Sequence, residues 1–213
     1  DVLVSDSALG RVVRLSQEGQ PKGWLGNDQL NYPTGLARDP VRGNFYVADT
    51  RLHAIFMFDA NGVFLRRFGS WGEREGEFNA PTHIGFRNDE LFVSDTLNSR
   101  VQVFSPDGQY LRQIGRRGLF VGDTPRPKGI AIAQNGLVYV VESYYDHLLV
   151  FNAQGDFLLP IGGTGQGPGE FYLPAGVWTD NNNRVYIADM FNGRVVVFEF
   201  LGEGNDKPGI RCF

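Results

Sequence analysis

Short apolar runs alternate with polar turns along the whole chain, and the stretch from Pro81 to Gly115 shows the pattern most plainly. Thr82 to Phe86 is short and apolar, and the polar turn Arg87-Asn88-Asp89-Glu90 leads into Leu91-Phe92-Val93-Ser94. The loop Asp95 to Ser99 then feeds Arg100-Val101-Gln102-Val103-Phe104, and Ser105-Pro106-Asp107-Gly108 returns the chain through Tyr110 to Ile114. Runs of this length bounded by turn residues predict four antiparallel strands in sequence order, with no substantial helix. The Asp-Gly pair supplies the positive φ that a bulged hairpin needs, and Gly19, Gly62 and Gly155 stand at the same place elsewhere. Apolar residues on both faces of the inner strands require each sheet to be covered on both sides. The fourth strand carries Arg66, Arg67, Arg112 and Gln113, as an exposed edge should.

This unit recurs. VSDSALGRVVRL from Val4, VADTRLHAIFMF from Val47, VSDTLNSRVQVF from Val93, VVESYYDHLLVF from Val140 and IADMFNGRVVVF from Ile187 align. Their acidic positions are Asp6, Asp49, Asp95, Glu142 and Asp189, at steps of 43, 46, 47 and 47 residues. Pro33, Pro81, Pro127 and Pro174 keep the same register, as do Gly26, Gly69, Gly115 and Gly162. A period of about 46 residues with four strands per unit predicts an all-β fold, a β-propeller of four-stranded antiparallel blades. The WD40 type is excluded, because no unit carries its Gly-His and Trp-Asp pairs. Eighteen strands are expected: three in the first unit, four in each of the next three, and three in the last. Residues 1–213 then form one propeller domain, with 199–213 as a C-terminal tail. Six blades would need about 276 residues, so about 60 are expected to precede Asp1 in the complete protein, of which about five blades are represented here.

The acidic-x-x-Asn-x-Arg pattern is intact at Asp95-Asn98-Arg100 and Asp189-Asn192-Arg194. With Pro127-Lys128-Gly129-Ile130-Ala131 and Phe104-Ser105-Pro106-Asp107-Gly108, it makes the chain resemble the NHL-repeat β-propeller family over nearly its whole length. The run Gly162-Gly163-Thr164-Gly165-Gln166-Gly167-Pro168-Gly169-Glu170-Phe171 is most similar to the bacterial six-bladed NHL proteins. That resemblance implies a noncatalytic protein-interaction scaffold or accessory subunit, periplasmic or extracellular. It also implies a membrane-associated or multihaem cytochrome system as the kind of partner.

Recurrence argues against catalysis at the repeated residues, since a catalytic group is needed once and a turn chemistry in every blade. Asp49, Asp95, Asn98, Arg100, Glu142, Asp189, Asn192 and Arg194 are therefore assigned to the scaffold, bonding loop amides and carbonyls. Function is expected where a blade departs from its own consensus. The fourth unit puts Tyr145-Asp146-His147 where Asn-x-Arg stands elsewhere, and the fifth carries Met190-Phe191 in the matching loop. Tyr144, Tyr145, Asp146, His147, Met190 and Phe191 are the expected binding patch, on the face shared by the loops from strand two to three and from strand four to the next blade. The segments Gly69 to Pro81, Gly115 to Pro127 and Gly162 to Pro174 each step 12 positions and Gly26 to Pro33 only 7, which lowers that rim at one place.

Composition narrows the chemistry. Twenty Lys and Arg against 24 Asp and Glu give a net charge of -4, so nucleic acid is not the expected partner. Arg116, Arg117, Arg126 and Lys128 form the one basic concentration and are read as solvated surface. The single cysteine, Cys212, excludes an internal disulfide framework and the covalent haem signature. No apolar run approaches the roughly 18 residues of a membrane span. The histidines His53, His83 and His147 fall at different places in the repeat, so no metal or other cofactor is expected. Asp180 to Asn183 has a calcium-like composition but falls at a hairpin turn. A metal-dependent lyase or hydrolase, similar to the peptidylglycine-amidating lyases or lactonases and with axial ligands outside this sequence, is the alternative to a binding module.

Overall fold

A computed structural model describes residues 1–26, 28–182, 184–201 and 209–212. The chain divides into two compact units, Asp1–Gln113 and Ile114–Phe213. In the first, β1 (Val2–Asp6), β2 (Arg11–Leu15) and β3 (Pro21–Leu25) form a three-stranded sheet. A four-stranded sheet follows, of β4 (Pro33–Arg38), β5 (Phe45–Asp49), β6 (Ala54–Phe58) and β7 (Phe64–Phe68). The third comprises β8 (Pro81–Arg87), β9 (Glu90–Asp95), β10 (Arg100–Phe104) and β11 (Tyr110–Ile114). The second unit holds β12 (Pro127–Ile132), β13 (Val138–Glu142), β14 (His147–Phe151) and β15 (Phe157–Gly162), then β16 (Pro174–Thr179), β17 (Arg184–Asp189), β18 (Arg194–Leu201) and β19 (Gly209–Cys212). Each sheet is an antiparallel meander in sequence order, the blade of a β-propeller. The one described helix is the 3-10 turn Thr96–Asn98.

Burial on both faces follows the apolar pattern. Every residue of β5, β6, β10 and β13 is buried, while β7 keeps Phe64 to Arg67 exposed. In the first unit Tyr46, Phe78, Leu91 and Phe104 share a core between the second and third sheets. In the second, Tyr139, Leu148, Phe171 and Phe198 do the same between the fourth and fifth. Gly62 and Gly155 take φ of 89° and 96° at the outer hairpins, beside register shifts at Met57/Phe58 and Val150/Phe151. These are the bulges that the Asn-Gly and Gln-Gly turns predict.

The strand count exceeds the sequence expectation. Gly209–Cys212 pairs antiparallel with β18, from Phe198 with Cys212 to Leu201 with Gly209, so the described residues hold nineteen strands and the last sheet has four. Part of the expected tail is therefore sheet. An outermost strand gains its stability from main-chain pairing and needs no apolar alternation, so four residues reading Gly-Ile-Arg-Cys leave no signal.

Neighbouring sheets meet most closely at their first strands, where glycine is a steric requirement. A Cβ on Gly35 would lie 2.8 Å from the Thr82 carbonyl oxygen in β8, and one on Gly129 would lie 2.7 Å from Gly176 Cα in β16. Both are backbone contacts that no side-chain rotation relieves. Gly129→Ala should therefore cost about 2 kcal/mol. Gly176→Ala, whose methyl would meet only Ala188 Cβ at 3.7 Å, should stay within about 0.5 kcal/mol of the parent. Urea midpoints of the two variants check the contrast, and equal midpoints would show that the sheets separate freely at this point.

Candidate functional site

The last residue of the second repeat strand is a carboxylate in all five sheets: Asp6, Asp49, Asp95, Glu142 and Asp189. The last four are buried, and each accepts an N–H from the segment leading into its own sheet. Asn31 and Tyr32 donate to Asp49 at 2.6 and 2.9 Å, Asn79 to Asp95 at 2.7 Å, Arg126 to Glu142 at 3.0 Å and Tyr172 to Asp189 at 2.7 Å. Asp49 also takes the N–H groups of Arg51 and Leu52, and Glu142 those of Tyr144 and Tyr145. Main-chain donors that no strand partner can reach are satisfied in this way.

The third and fifth sheets add two or three side chains. Asn98 Nδ2 bridges Asp95 Oδ2 and the Gly72 carbonyl, both at 2.8 Å, and Arg100 Nε donates to the same Oδ2 at 2.8 Å. The Arg100 Nη2 group then reaches the Arg74 and Glu77 carbonyls at 2.8 and 3.0 Å, and Gln102 Nε2 joins Asp95 Oδ2 at 3.1 Å. Asn192 and Arg194 repeat the arrangement on Asp189 Oδ2, both at 2.8 Å, with Arg194 Nη2 on the Gly167 and Glu170 carbonyls at 3.0 and 2.9 Å. The Asn-x-Arg motif is thus a clamp on the preceding inter-blade loop. Burial works against the Asp189 charge, but hydrogen bonds from Tyr172, Asn192 and Arg194 outweigh it and hold the carboxyl below its ordinary range.

The fourth sheet has no such clamp. In register with Arg100 and Arg194 opposite their carboxylates stands His147, paired with Glu142, and Leu149 stands at the position of Gln102. Burial pushes Glu142 above its ordinary range, with the nearby Asp146 charge adding to the shift. Burial lowers His147, which favours its neutral imidazole. The loop before this sheet closes on itself: Asp123 accepts Arg116 Nε and the Phe120 N–H, both at 2.9 Å. Between loop and strands lies a depression of about 240 Å³, lined by Leu119 to Asp123 on one side and by Glu142, Tyr145, His147 and Leu149 on the other.

Of the expected patch, Tyr144 and Phe191 are each 61% exposed, Met190 is exposed, and Tyr145 packs its ring edge-on to Tyr144 at 4.8 Å. Phe191 leans on Tyr172 at 5.4 Å. Asp146 does not belong to that surface. It is 4% exposed, with a left-handed φ of 58°, and accepts Thr164 Oγ1 and the Leu173 N–H, both at 2.8 Å. Its role matches His53, whose Nδ1 accepts the Ala80 N–H at 3.1 Å in the first unit. Sequence reasoning missed Leu119-Phe120-Val121, where Phe120 is 80% exposed. The available signal was the lack of the Gly-Glu-Phe ending that the other two loops of the same length share.

Other candidates resolve into structure. Asp180 accepts the N–H groups of Asn182 and Arg184 at 2.7 and 3.0 Å, as a hairpin turn requires, and Asn183 lies outside the described residues. His83 shares a 3.0 Å contact with Thr82 Oγ1. Among the described residues no group of three or more His, Cys, Asp or Glu is placed to hold a metal, and no helix is long and apolar enough to cross a membrane.

Comparison with known proteins agrees with the fold. Residues 125–205 match the family DUF5128, 6-bladed beta-propeller. Over 165 residues the chain is 32% identical to peptidyl-glycine alpha-amidating monooxygenase B of Xenopus laevis, an alignment covering 66% of this chain and 18% of that protein. It is 29% identical over 117 residues to protein brain tumor of Drosophila melanogaster, covering 54% of this chain and 11% of that one. The chain therefore spans less than a fifth of either relative. Among solved structures, a catalytically inactive virginiamycin B lyase from Staphylococcus aureus with quinupristin superposes with a TM-score of 0.71 at 13% identity, covering 99% of this chain and 65% of that one. At that identity the likeness shows the propeller fold alone.

The clamp generates a prediction with a definite pH sign. In Asp189→Asn an amide donor would face Arg194 Nε and Asn192 Nδ2, leaving half-buried donors unmatched at a cost of about 1 kcal/mol at pH 7. Because the folded carboxyl of the parent titrates below its ordinary value, its contribution is present above about pH 4 and lost as pH falls through the lowered value. The stability gap between parent and variant should therefore narrow on acidification, as denaturant melts at pH 7 and pH 3 would read. A gap that widens at low pH would mean that the carboxylate is not stabilised by its partners.

Proposed function

We propose that this chain is a noncatalytic binding propeller that docks a protein partner on the loops of its fourth and fifth sheets. One observation carries the reading: exposed apolar side chains gather where the fourth sheet abandons the clamp. Leu119, Phe120, Val121 and Tyr145 rim one depression, Tyr144 packs edge-on beside Tyr145, and Tyr172, Met190 and Phe191 lie on the loops of the fifth sheet. Scattered apolar residues are ordinary on a protein surface, whereas aromatic side chains grouped around a concavity are the composition of an interface core. The setting we propose is extracytoplasmic, periplasmic or extracellular, with the chain an accessory subunit of a membrane-associated or multihaem assembly. That part rests on the resemblance of its repeats to the bacterial NHL propellers.

A second reading, a metal-dependent propeller lyase, is favoured by the 32% identity to the amidating enzyme. It requires a metal centre, and His83 on the inner strand β8 is the side chain of this chain with which to test it. One tightly bound zinc per chain in elemental analysis, lost together with lyase activity in His83→Ala, would establish that reading over ours.

For the binding reading, Phe120→Ser and Tyr144→Ala should weaken capture of the native partner from an extract of the source cells on immobilised protein. A central aromatic anchor is worth about 2 kcal/mol or more, or about 30-fold in affinity. Both side chains are exposed, so the melting temperature should stay within the range of a surface change of about 0.5 kcal/mol. A large drop in melting temperature with capture intact would show that these rings serve the loops instead.

A further inference from the structure

We infer that the depression beside Glu142 is an arginine-binding site, the vacated place of a clamp guanidinium, and that the docked partner inserts an arginine side chain into it. The inference rests on the binding reading above and names the chemistry of its partner.

The template for the site is inside the molecule. The loops before the third, fourth and fifth sheets make the same turn, in which the N–H of Glu77, Asp123 or Glu170 bonds the carbonyl of Arg74, Phe120 or Gly167 at 3.1, 3.0 and 3.2 Å. In the third and fifth sheets one guanidinium spans both carbonyls of that turn and the strand-end carboxylate. In the fourth sheet the turn and the carboxylate are both present. The side chains that would complete the set are Tyr145 for Asn98, His147 for Arg100 and Leu149 for Gln102, and all three line the depression.

Charge points the same way. Glu142 is 1% exposed and accepts three backbone N–H groups, two on Oε1 and the Tyr145 N–H alone on Oε2. Asp49, which also lacks an arginine, is saturated by four N–H groups because the short segment before its sheet brings in two of them. Among the described residues no cationic side chain pairs with Glu142, and Asp123 is already matched by Arg116. Phe120, Val121 and Tyr145 supply the apolar walls that an arginine stem and the face of its guanidinium use. A lysine ammonium cannot span a carboxylate and two carbonyls as a planar fork does.

The probe is Nα-acetyl-arginine amide, titrated into the full isotope-labelled chain, with the acetylated amides of citrulline and lysine as comparators. The arginine compound should shift the backbone resonances of Tyr144, Tyr145 and Asp123 saturably, at least tenfold more tightly than the other two. Glu142→Gln should abolish the effect. The double change Tyr145→Asn with His147→Arg returns the sister-sheet side chains to the site; it should also block the probe, and should raise the melting temperature because the clamp closes from within. If Glu142→Gln does not fold, the double variant decides alone. Equal shifts from arginine and citrulline, or undiminished arginine binding in the double variant, would overturn the inference. So would absence of arginine binding while partner capture still depends on Phe120 and Tyr144, an outcome that leaves the binding reading standing. Loss of that dependence as well would bring down both.

Discussion

A carboxylate buried at the end of the second repeat strand organises the second to fifth blades of this propeller. Such a group is tolerable only when its oxygens are met by donors, since an unpartnered buried charge costs several kcal/mol. The donors come from two separate segments: backbone N–H groups of the residues that precede the sheet, and, from beyond the strand, turn N–H groups at Asp49 and Glu142 or Asn and Arg side chains at Asp95 and Asp189. Each side solves the other's problem: the amides have no strand to pair with, and the charge has no water. The path of the chain into a blade is therefore fixed by the turn on its far side, a link between positions 16 to 18 residues apart.

The length of the incoming segment then decides what else the carboxylate needs. A short segment, as before the second sheet, approaches closely enough to donate twice, and Asp49 requires no side chain. A long loop donates once and must itself be held, so Asn and Arg enter with the loop's own glycines, glutamate and phenylalanine. Phe78 and Phe171 are fully buried against Gly69 and Gly162, whose positive φ and missing Cβ leave the ring its space. At the same place in the fourth sheet's loop stands Thr124, also buried, and Gly115 approaches it in the same way. Asp123 ties this loop internally as Glu77 and Glu170 tie theirs, and the neighbouring Leu119-Phe120-Val121 faces outward.

The propeller was legible in the sequence because its determinants repeat: acid, Asn, Arg, Gly and Pro recur in register, the acid, Asn and Arg each naming a local bond found in the structure and the Gly a positive φ. Two features were not legible, for different reasons. The outermost strand β19 lies in pairing alone, where backbone hydrogen bonds leave no mark on side-chain choice. Asp146 was misread because its position accepts different chemistries for one task. His53 and Asp146 both sit in left-handed geometry and both accept the N–H of a residue that is left-handed in turn, Ala80 or Leu173. An imidazole nitrogen and a carboxylate oxygen do the same work there, so a departure from consensus was a substitution of acceptors and not a site.

That distinction separates the departures that leave an acceptor without its side-chain donors from those that do not. Asp146 replaces one acceptor by another and its hydrogen bonds are complete within the chain. Tyr145, His147 and Leu149 replace three donors, and among the described residues no cationic side chain takes over from them at Glu142, which keeps the backbone N–H groups of Arg126, Tyr144 and Tyr145. The charge itself cannot be dropped, because the N–H groups of Arg126, Tyr144 and Tyr145 depend on it to shape the turn. A blade that gives up its arginine while its turn still demands the carboxylate keeps an acceptor site formed and held rigid before any ligand arrives. Pre-formed acceptors of that kind reduce the ordering that binding must otherwise impose, which is the condition under which a single charged side chain can anchor an interface.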